Sequence, residues 1–180
     1  SETIAITVNN TNRAPTLSSI GNQSVSEGSA LSLTLSGSDP DGDTLTYSVS
    51  GNPSGSSLSS NTFSWTPSYD QSGSYNVTFT ANDGNGGSAS ETIAITVNNT
   101  NRAPTLSSIG NQSVSEGSVL SLTLFGSDPD GDTLTYSVSG NPSGSSLSGN
   151  AFSWTPSYDQ SGTYNVTFTV SDGNGGSASE

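Results

Sequence analysis

The residues best equipped for chemistry are acids set in a turn. Asp39-Pro40-Asp41-Gly42-Asp43 places three carboxylates at alternate positions, and Asp128-Pro129-Asp130-Gly131-Asp132 repeats them. An Asp-x-Asp run in a glycine-containing turn can point two carboxylates to one side at short range. Ca²⁺ takes about six to eight oxygens from carboxylates, amide carbonyls and water, so this is calcium chemistry before any other. The plainer reading is that Asp-Pro-Asp-Gly is simply a good β-turn with solvated acids. Catalysis has little to stand on. The chain has no His, Lys or Cys, so the usual nucleophile–base pairs cannot be built. A carboxylate pair could in principle hydrolyse a glycoside, but these acids cluster on turns with no sign of a cleft. The expectation is a protein that is not an enzyme.

The turns belong to a repeat. Residues 1–91 and 90–180 are nearly the same sequence at a shift of 89 residues, with seven differing positions. A fixed period of this length means tandem folding modules. Within each, apolar residues alternate with Ser and Thr: Ile4, Ile6, Val8; Leu31, Leu33, Leu35; Leu45, Tyr47, Val49; Phe63, Trp65; Tyr75, Val77, Phe79. Period two predicts half-buried strands, most simply antiparallel, and Gly/Asn/Asp/Pro clusters separate them. No stretch carries helical periodicity. The predicted fold class is all-β: tandem immunoglobulin- or cadherin-like sandwiches of about seven strands each, in a linear array. The repeat frame divides the chain into a final strand of a preceding repeat (1–10), a complete sandwich (11–99) and a second sandwich lacking its final strand (100–180).

Composition narrows the partners. Net charge is −13, with Arg13 and Arg102 the only positive side chains. Almost nothing can neutralise phosphates, which excludes nucleic acid and anionic membrane. No apolar run approaches the ~20 residues needed to span a bilayer. Hydrophobic residues are 28%, but charged residues are only 9% and the apolar ones alternate regularly, which argues against disorder. The cores should be small, and without Cys no disulfide supports them, leaving bound ions as the obvious staple.

The motifs VNNTNRAP, SEGS, SDPDGDTLTYS, FSWTPSYDQSGSY and FTANDGNGG, in this order and spacing, resemble the bacterial cadherin-like, immunoglobulin-like and dystroglycan-type cadherin-like repeats. The resemblance covers the whole chain. It implies Ca²⁺ bound at module junctions. Asp39, Asp41, Asp83 and Asn12 would form one site, and Asp128, Asp130, Asp172 and Asn101 its copy. Glu27 and Asp70, at the opposite end of the module, would complete a second ion with Asn99. Cadherin linkers usually carry Asp where this chain has Asn10 and Arg13, so one ion per junction is expected rather than three. Arg13 could instead pair with a carboxylate of the neighbouring module. Tyr75 and Tyr164 resemble the tyrosine corner of such sandwiches.

The resemblance implies a structural, Ca²⁺-stabilised module of a prokaryotic extracellular fibre or surface adhesin, whose partners are further copies of the repeat. The alternative is a carbohydrate-binding module of a secreted polysaccharide-degrading protein. Trp65 and Trp154 could stack on surface glycans, although their phase with Phe63 and Phe152 favours the core. A third expectation concerns the ends. Ile4, Ile6 and Val8 make an apolar strand face with no module here, and the second module lacks the equivalents of Ile93, Ile95 and Val97. Residues 2–8 would then fill the groove of a neighbouring copy, in a covalent array or a head-to-tail polymer.

Overall fold

A computed structural model describes residues 2–180. Every regular element among them is a β-strand. They gather into two compact units, one ending at Thr100 and the other spanning Asn101–Glu180.

Unit 1 carries nine strands: β1 (Thr16–Leu17), β2 (Gln23–Ser26), β3 (Leu31–Thr34), β4 (Gly37–Ser38), β5 (Thr46–Ser50), β6 (Ser57–Ser59), β7 (Thr62–Trp65), β8 (Gly73–Asn82) and β9 (Ser88–Asn98). One sheet runs β2-β9-β8-β5, the other β3-β7-β6, and β1 pairs with β4. The count exceeds seven because β1 and β4 are a two-residue bridge. The period-two pattern explains the core. Val77 and Phe79 of β8, Ile93, Ile95 and Val97 of β9, and Phe63 and Trp65 of β7 are all buried between the sheets. Phe63 meets Phe79 edge to face at 5.2 Å, and Trp65 meets Tyr75 at 5.0 Å. Edge-to-face contact suits the ring quadrupole. The Tyr75 hydroxyl donates to the Gln71 carbonyl at 3.0 Å, and Tyr164 does the same to Gln160 at 3.1 Å, so the expected tyrosine corners are present.

One pairing departs from the antiparallel expectation. β2 runs parallel to β9, with Val25 beside Val97. These two strands are not consecutive, so no tight hairpin constrains their direction.

Unit 2 carries β10 (Thr105–Leu106), β11 (Leu120–Thr123), β12 (Gly126–Ser127), β13 (Thr135–Ser139), β14 (Ser146–Ser148), β15 (Ala151–Trp154), β16 (Thr167–Ser171) and β17 (Ser177–Ser179). Its sheets are β13-β16-β17, β11-β15-β14 and β10-β12. Two differences from unit 1 stand out despite the near-identical sequence. Gln112–Ser115, equivalent to β2, form no strand, and β16 begins at Thr167 although its equivalent β8 begins at Gly73, five residues earlier in the repeat frame. In unit 1 the equivalent segments flank Thr92–Asn98, which pairs with both of them.

Residues 2–8 form no regular strand, against the strand expected from their alternation. Ile4, Ile6 and Val8 are 72%, 79% and 89% exposed. An isolated apolar face has nothing to gain from the extended state until it meets a sheet edge.

Candidate metal centre

The acidic turn is built around Asp39. Its Oδ1 accepts the N–H groups of Asp41 at 2.7 Å and Asp43 at 3.2 Å, and the Gly42 N–H reaches the Asp39 carbonyl at 3.3 Å. Gly42 sits at φ +81°, a left-handed conformation the turn demands and glycine supplies without steric cost. The result brings Asp39, Asp41 and Asp43 together, with one carboxylate oxygen from each within 4.8 Å of the others. Asp128, Asp130 and Asp132 form the same group in unit 2.

A second loop closes on the first. Asp83, 4% exposed, follows β8 and accepts the N–H groups of Asn85 (2.8 Å) and Gly87 (2.9 Å) through Oδ1. A Cβ at position 87 would collide with the Asp83 carboxylate, so the loop needs glycine there. Asn85 Nδ2 donates to Asp43 Oδ2 at 2.9 Å, joining the two loops. From the segment before β1, Asn12 Nδ2 donates to Asp83 Oδ2 at 2.8 Å. Unit 2 repeats these bonds, with Asn101 to Asp172 at 2.8 Å and Asn174 to Asp132 at 2.9 Å.

Arg13 occupies one carboxylate. Its backbone N–H meets Asp41 Oδ2 at 2.7 Å and its Nε–H meets Oδ1 at 2.8 Å. Arg13 thus pairs with an acid of its own unit, rather than with one of a neighbouring module. Arg102 holds Asp130 in the same way, at 2.6 and 2.8 Å.

These bonds set the acidities. The Arg13 side chain, then its N–H, lowers the pKa of Asp41 below its ordinary value, while the nearby Asp83 charge opposes the shift. The Arg102 N–H, then its guanidinium, does the same to Asp130. Asp83 is lowered chiefly by Asn12 and then by the loop N–H groups, and Asp172 chiefly by Asn101. All four therefore hold their charge to acid pH.

Two oxygens of the centre remain without a partner. Asn12 Oδ1 and Asp39 Oδ2 are buried and receive no hydrogen bond; Asn101 Oδ1 and Asp128 Oδ2 repeat the pattern. Each is an acceptor only, and a buried acceptor without a donor costs free energy. A cation removes that cost for several such oxygens together. The donor set, carboxylates plus an amide oxygen, is the hard-oxygen chemistry that Ca²⁺ takes. The residues present fit that ion.

The other end of unit 1 holds Glu27, 3% exposed. Its Oε2 accepts the Thr100 N–H at 3.0 Å, and its Oε1 is buried without a partner. Asp70 lies in the turn before β8, and Asn99 is exposed just past β9. Glu27 is the member of this expected trio with an orphaned oxygen.

Sequence reasoning counted Asp43 and Asp132 among the turn carboxylates but left them out of the ligand set, and it missed Asn85 and its copy Asn174. The signal was available, since Asp43 completes the alternate Asp positions. It also missed Glu91, whose carboxylate accepts the Ile20 and Gly21 N–H groups at 2.8 and 3.0 Å. Trp65 and Trp154 are 2% and 7% exposed and stand edge to face against Tyr75 and Tyr164. This corrects the carbohydrate role considered for them: neither offers an open face on which a sugar could stack. No helix of the described residues is long and apolar enough to cross a membrane.

Residues 14–98 match the family described as "Putative Ig domain", and residues 101–180 match "Bacterial Ig domain". No curated protein matches the chain. Among solved structures, mouse cadherin-23 repeats EC22–24 superpose over 94% of this chain with TM-score 0.60 at 17% identity. Protocadherin gamma B2 extracellular cadherin domains 1–5 superpose over 92% with TM-score 0.54 at 18% identity. An endo-fucoidan hydrolase of glycoside hydrolase family 107 aligns over 92% at 24% identity, with TM-score 0.42. The chain spans 65%, 38% and 28% of these three solved chains.

Proposed function

Because the chain belongs to the bacterial immunoglobulin-like repeats and shares their cadherin-like sandwich fold, we propose that it is a structural, Ca²⁺-stabilised module of a bacterial extracellular fibre or surface adhesin. Its partners are further copies of the same repeat, joined in a covalent array or head to tail. It performs no catalysis.

The observation that carries this reading is the pair of orphaned buried oxygens, Asn12 Oδ1 and Asp39 Oδ2, recurring as Asn101 Oδ1 and Asp128 Oδ2. Asp39, Asp43 and Asn12 would hold the ion, with Asp83 orienting Asn12 and Asp41 shared with Arg13. Asp128, Asp132, Asn101, Asp172 and Asp130 take those roles in unit 2. A second ion would rest on Glu27 Oε1, with Asp70 and Asn99 nearby in sequence to the same end. The bound ion neutralises clustered carboxylates and ties the segment before β1 to both acidic loops, supplying the rigidity that disulfides supply elsewhere. The carbohydrate-binding alternative gains no support, since both tryptophans are buried.

Ion binding to the folded form alone stabilises by mass action, by about 2.7 kcal/mol when free Ca²⁺ stands ~100-fold above its dissociation constant. For units of this size that is on the order of 10–20 °C in Tm. Calorimetric melts in EDTA and in excess Ca²⁺ test it. Asp39→Asn should remove the shift for one unit, and Asp39→Asn with Asp128→Asn for both. Superimposable melts of the unaltered chain would overturn the reading.

A further inference from the structure

The chain contains two Asn-Gly pairs, Asn85-Gly86 and Asn174-Gly175, and both stand in the loop that closes on the acidic turn. Asparagine is a thermally labile residue. The backbone nitrogen that follows it can attack its side-chain amide carbon, and a glycine has no Cβ to hinder the approach. In the fold the loop leaves that nitrogen free. Asp83 Oδ1 accepts the N–H groups of Asn85 at 2.8 Å and Gly87 at 2.9 Å, and among the described residues nothing accepts the Gly86 N–H between them. Gly84 and Gly86 lie at φ +80° and +102°, so Asn85 sits between two backbone units that no side chain restricts. Asn85 itself is exposed. Asp172, Asn174 and Gly176 repeat the arrangement, with bonds of 2.8 and 2.9 Å. Other asparagines are protected. Asn52 and Asn141 precede proline, which has no N–H to give up, and Asn76 and Asn165 precede a branched valine.

We propose that Asn85 and Asn174 are sites of self-modification, each losing its amide to become a carboxylate that faces Asp43 or Asp132. The Gly86 nitrogen bonds to Asn85 Cγ, the Cγ–Nδ2 bond breaks, and the proton lost by Gly86 leaves on the ammonia. The cyclic imide that remains takes up water and opens at either carbonyl, to aspartate or to its β-linked isomer. The net change is amide plus water to carboxylate plus ammonia, with no oxidant or reductant. Asn174 and Gly175 react in the same way.

Position decides what the new charge does. Asn85 Nδ2 donates to Asp43 Oδ2 at 2.9 Å, and Asn174 Nδ2 donates to Asp132 Oδ2 at 2.9 Å, so these amides join the two loops of each centre. A carboxylate has no hydrogen to donate, and the bond becomes a contact between like charges. The Asn85 carbonyl also accepts Asn12 Nδ2 at 3.5 Å, so the β-linked product, with its longer backbone, disturbs Asn12 as well. Without a cation the two loops then repel. With one, residue 85 supplies a further oxygen beside Asp39 and Asp43, and the tie between the loops passes through the ion. The reaction thus converts a junction held by a hydrogen bond into one held by a cation. This cation half rests on the ion reading above, whereas the reaction and the repulsion do not.

Ageing the chain in warm, mildly alkaline buffer with EDTA, then mapping its peptides by mass spectrometry, tests the reaction. Asn85 and Asn174 should convert well ahead of Asn52, Asn76, Asn141 and Asn165. A synthetic peptide of residues 81–89 serves as the clock. If it converts while Asn85 and Asn174 keep their amides, the fold protects them and the proposal is overturned. The aged chain should melt several degrees lower in EDTA than the fresh one. The double variant Asn85→Ser/Asn174→Ser, uncharged and unable to form the imide, should not change its melt on ageing. Asn85→Asp/Asn174→Asp should reproduce the loss in EDTA and bind Ca²⁺ more tightly than the unaltered chain, by roughly tenfold for one added charge at each centre. A melt of that variant equal to the unaltered chain's in EDTA would overturn the repulsion and with it the proposal. Equal Ca²⁺ affinity of the two chains would overturn the conversion to a cation-held junction and leave the ion reading intact. A lower melt in EDTA with no response of either chain to Ca²⁺ would overturn the ion reading and leave the modification standing.

Discussion

Asn12 uses one end of its amide and leaves the other unused. Its Nδ2 donates to Asp83 Oδ2 at 2.8 Å, while its Oδ1 is buried with no donor. The bond to Asp83 fixes the amide plane. It also sets which atom faces inward, since reversing the amide would set two acceptors against each other. Asp83 therefore acts on the centre through Asn12. It stays charged because Asn12 and the loop N–H groups of Asn85 and Gly87 lower its pKa.

Arg13 competes with a cation for Asp41. Its guanidinium and N–H occupy both oxygens of that carboxylate. Arg13→Gln keeps the backbone bond and removes the charge. Without Ca²⁺ the variant should melt lower, because Asp39, Asp41 and Asp43 then crowd without a counter-charge. With Ca²⁺ it should bind the ion more tightly, by roughly tenfold for one nearby charge at the surface. Titration calorimetry on both forms checks it. Weaker Ca²⁺ binding by Arg13→Gln would show instead that Arg13 organises the site.

Acid should weaken both units in one direction. Asp41, Asp83 and Glu91 in unit 1 and Asp130, Asp172 and Glu180 in unit 2 all have pKa values lowered by hydrogen bonds in the fold. A carboxylate with a depressed folded pKa binds its proton more readily when unfolded. Its contribution is therefore complete above the ordinary values of 3.8 for Asp and 4.5 for Glu, and is lost as pH falls through the lower folded values. Tm measured in EDTA should decline as pH drops below about 4.5. Glu91→Gln should flatten part of that decline for unit 1, because Ile20 and Gly21 N–H then bind a group that does not titrate. A Tm that rises on acidification would contradict the assignment.

The strands were legible because their side chains alternate without interruption. Val77, Phe79, Ile93 and Ile95 face the core as period two requires. The parallel β2–β9 pair was not legible, since direction between non-consecutive strands leaves no trace in spacing. At the acidic end, the Asp turn could be read from Asp-Pro-Asp-Gly-Asp, whereas the Asn85–Asp43 bond depends on where two loops meet in space. Arg13 was visible as a charge beside the turn. Its choice of Asp41 follows from the path of the chain into β1, which only the fold defines. The sugar-stacking role considered for Trp65 failed because its phase with Phe63 buries both.

The same sequence in two settings gives the sharpest comparison of burial. Ile95 and Ile6 occupy equivalent positions of one repeated strand, yet Ile95 is 0% exposed and Ile6 is 79% exposed. Ile95→Ala removes buried methyl and methylene groups and leaves a cavity in the core of unit 1. Such a change costs about 2–5 kcal/mol. Ile6→Ala touches nothing packed and should fall within about 0.5 kcal/mol of the unaltered chain. Urea denaturation followed by tryptophan emission resolves the two, with Trp65 reporting unit 1. A cost for Ile6→Ala as large as that for Ile95→Ala would mean that residues 2–8 are packed in solution. The sequences of the two strands are identical, so the difference between the two variants measures what the groove contributes and the strand alone does not.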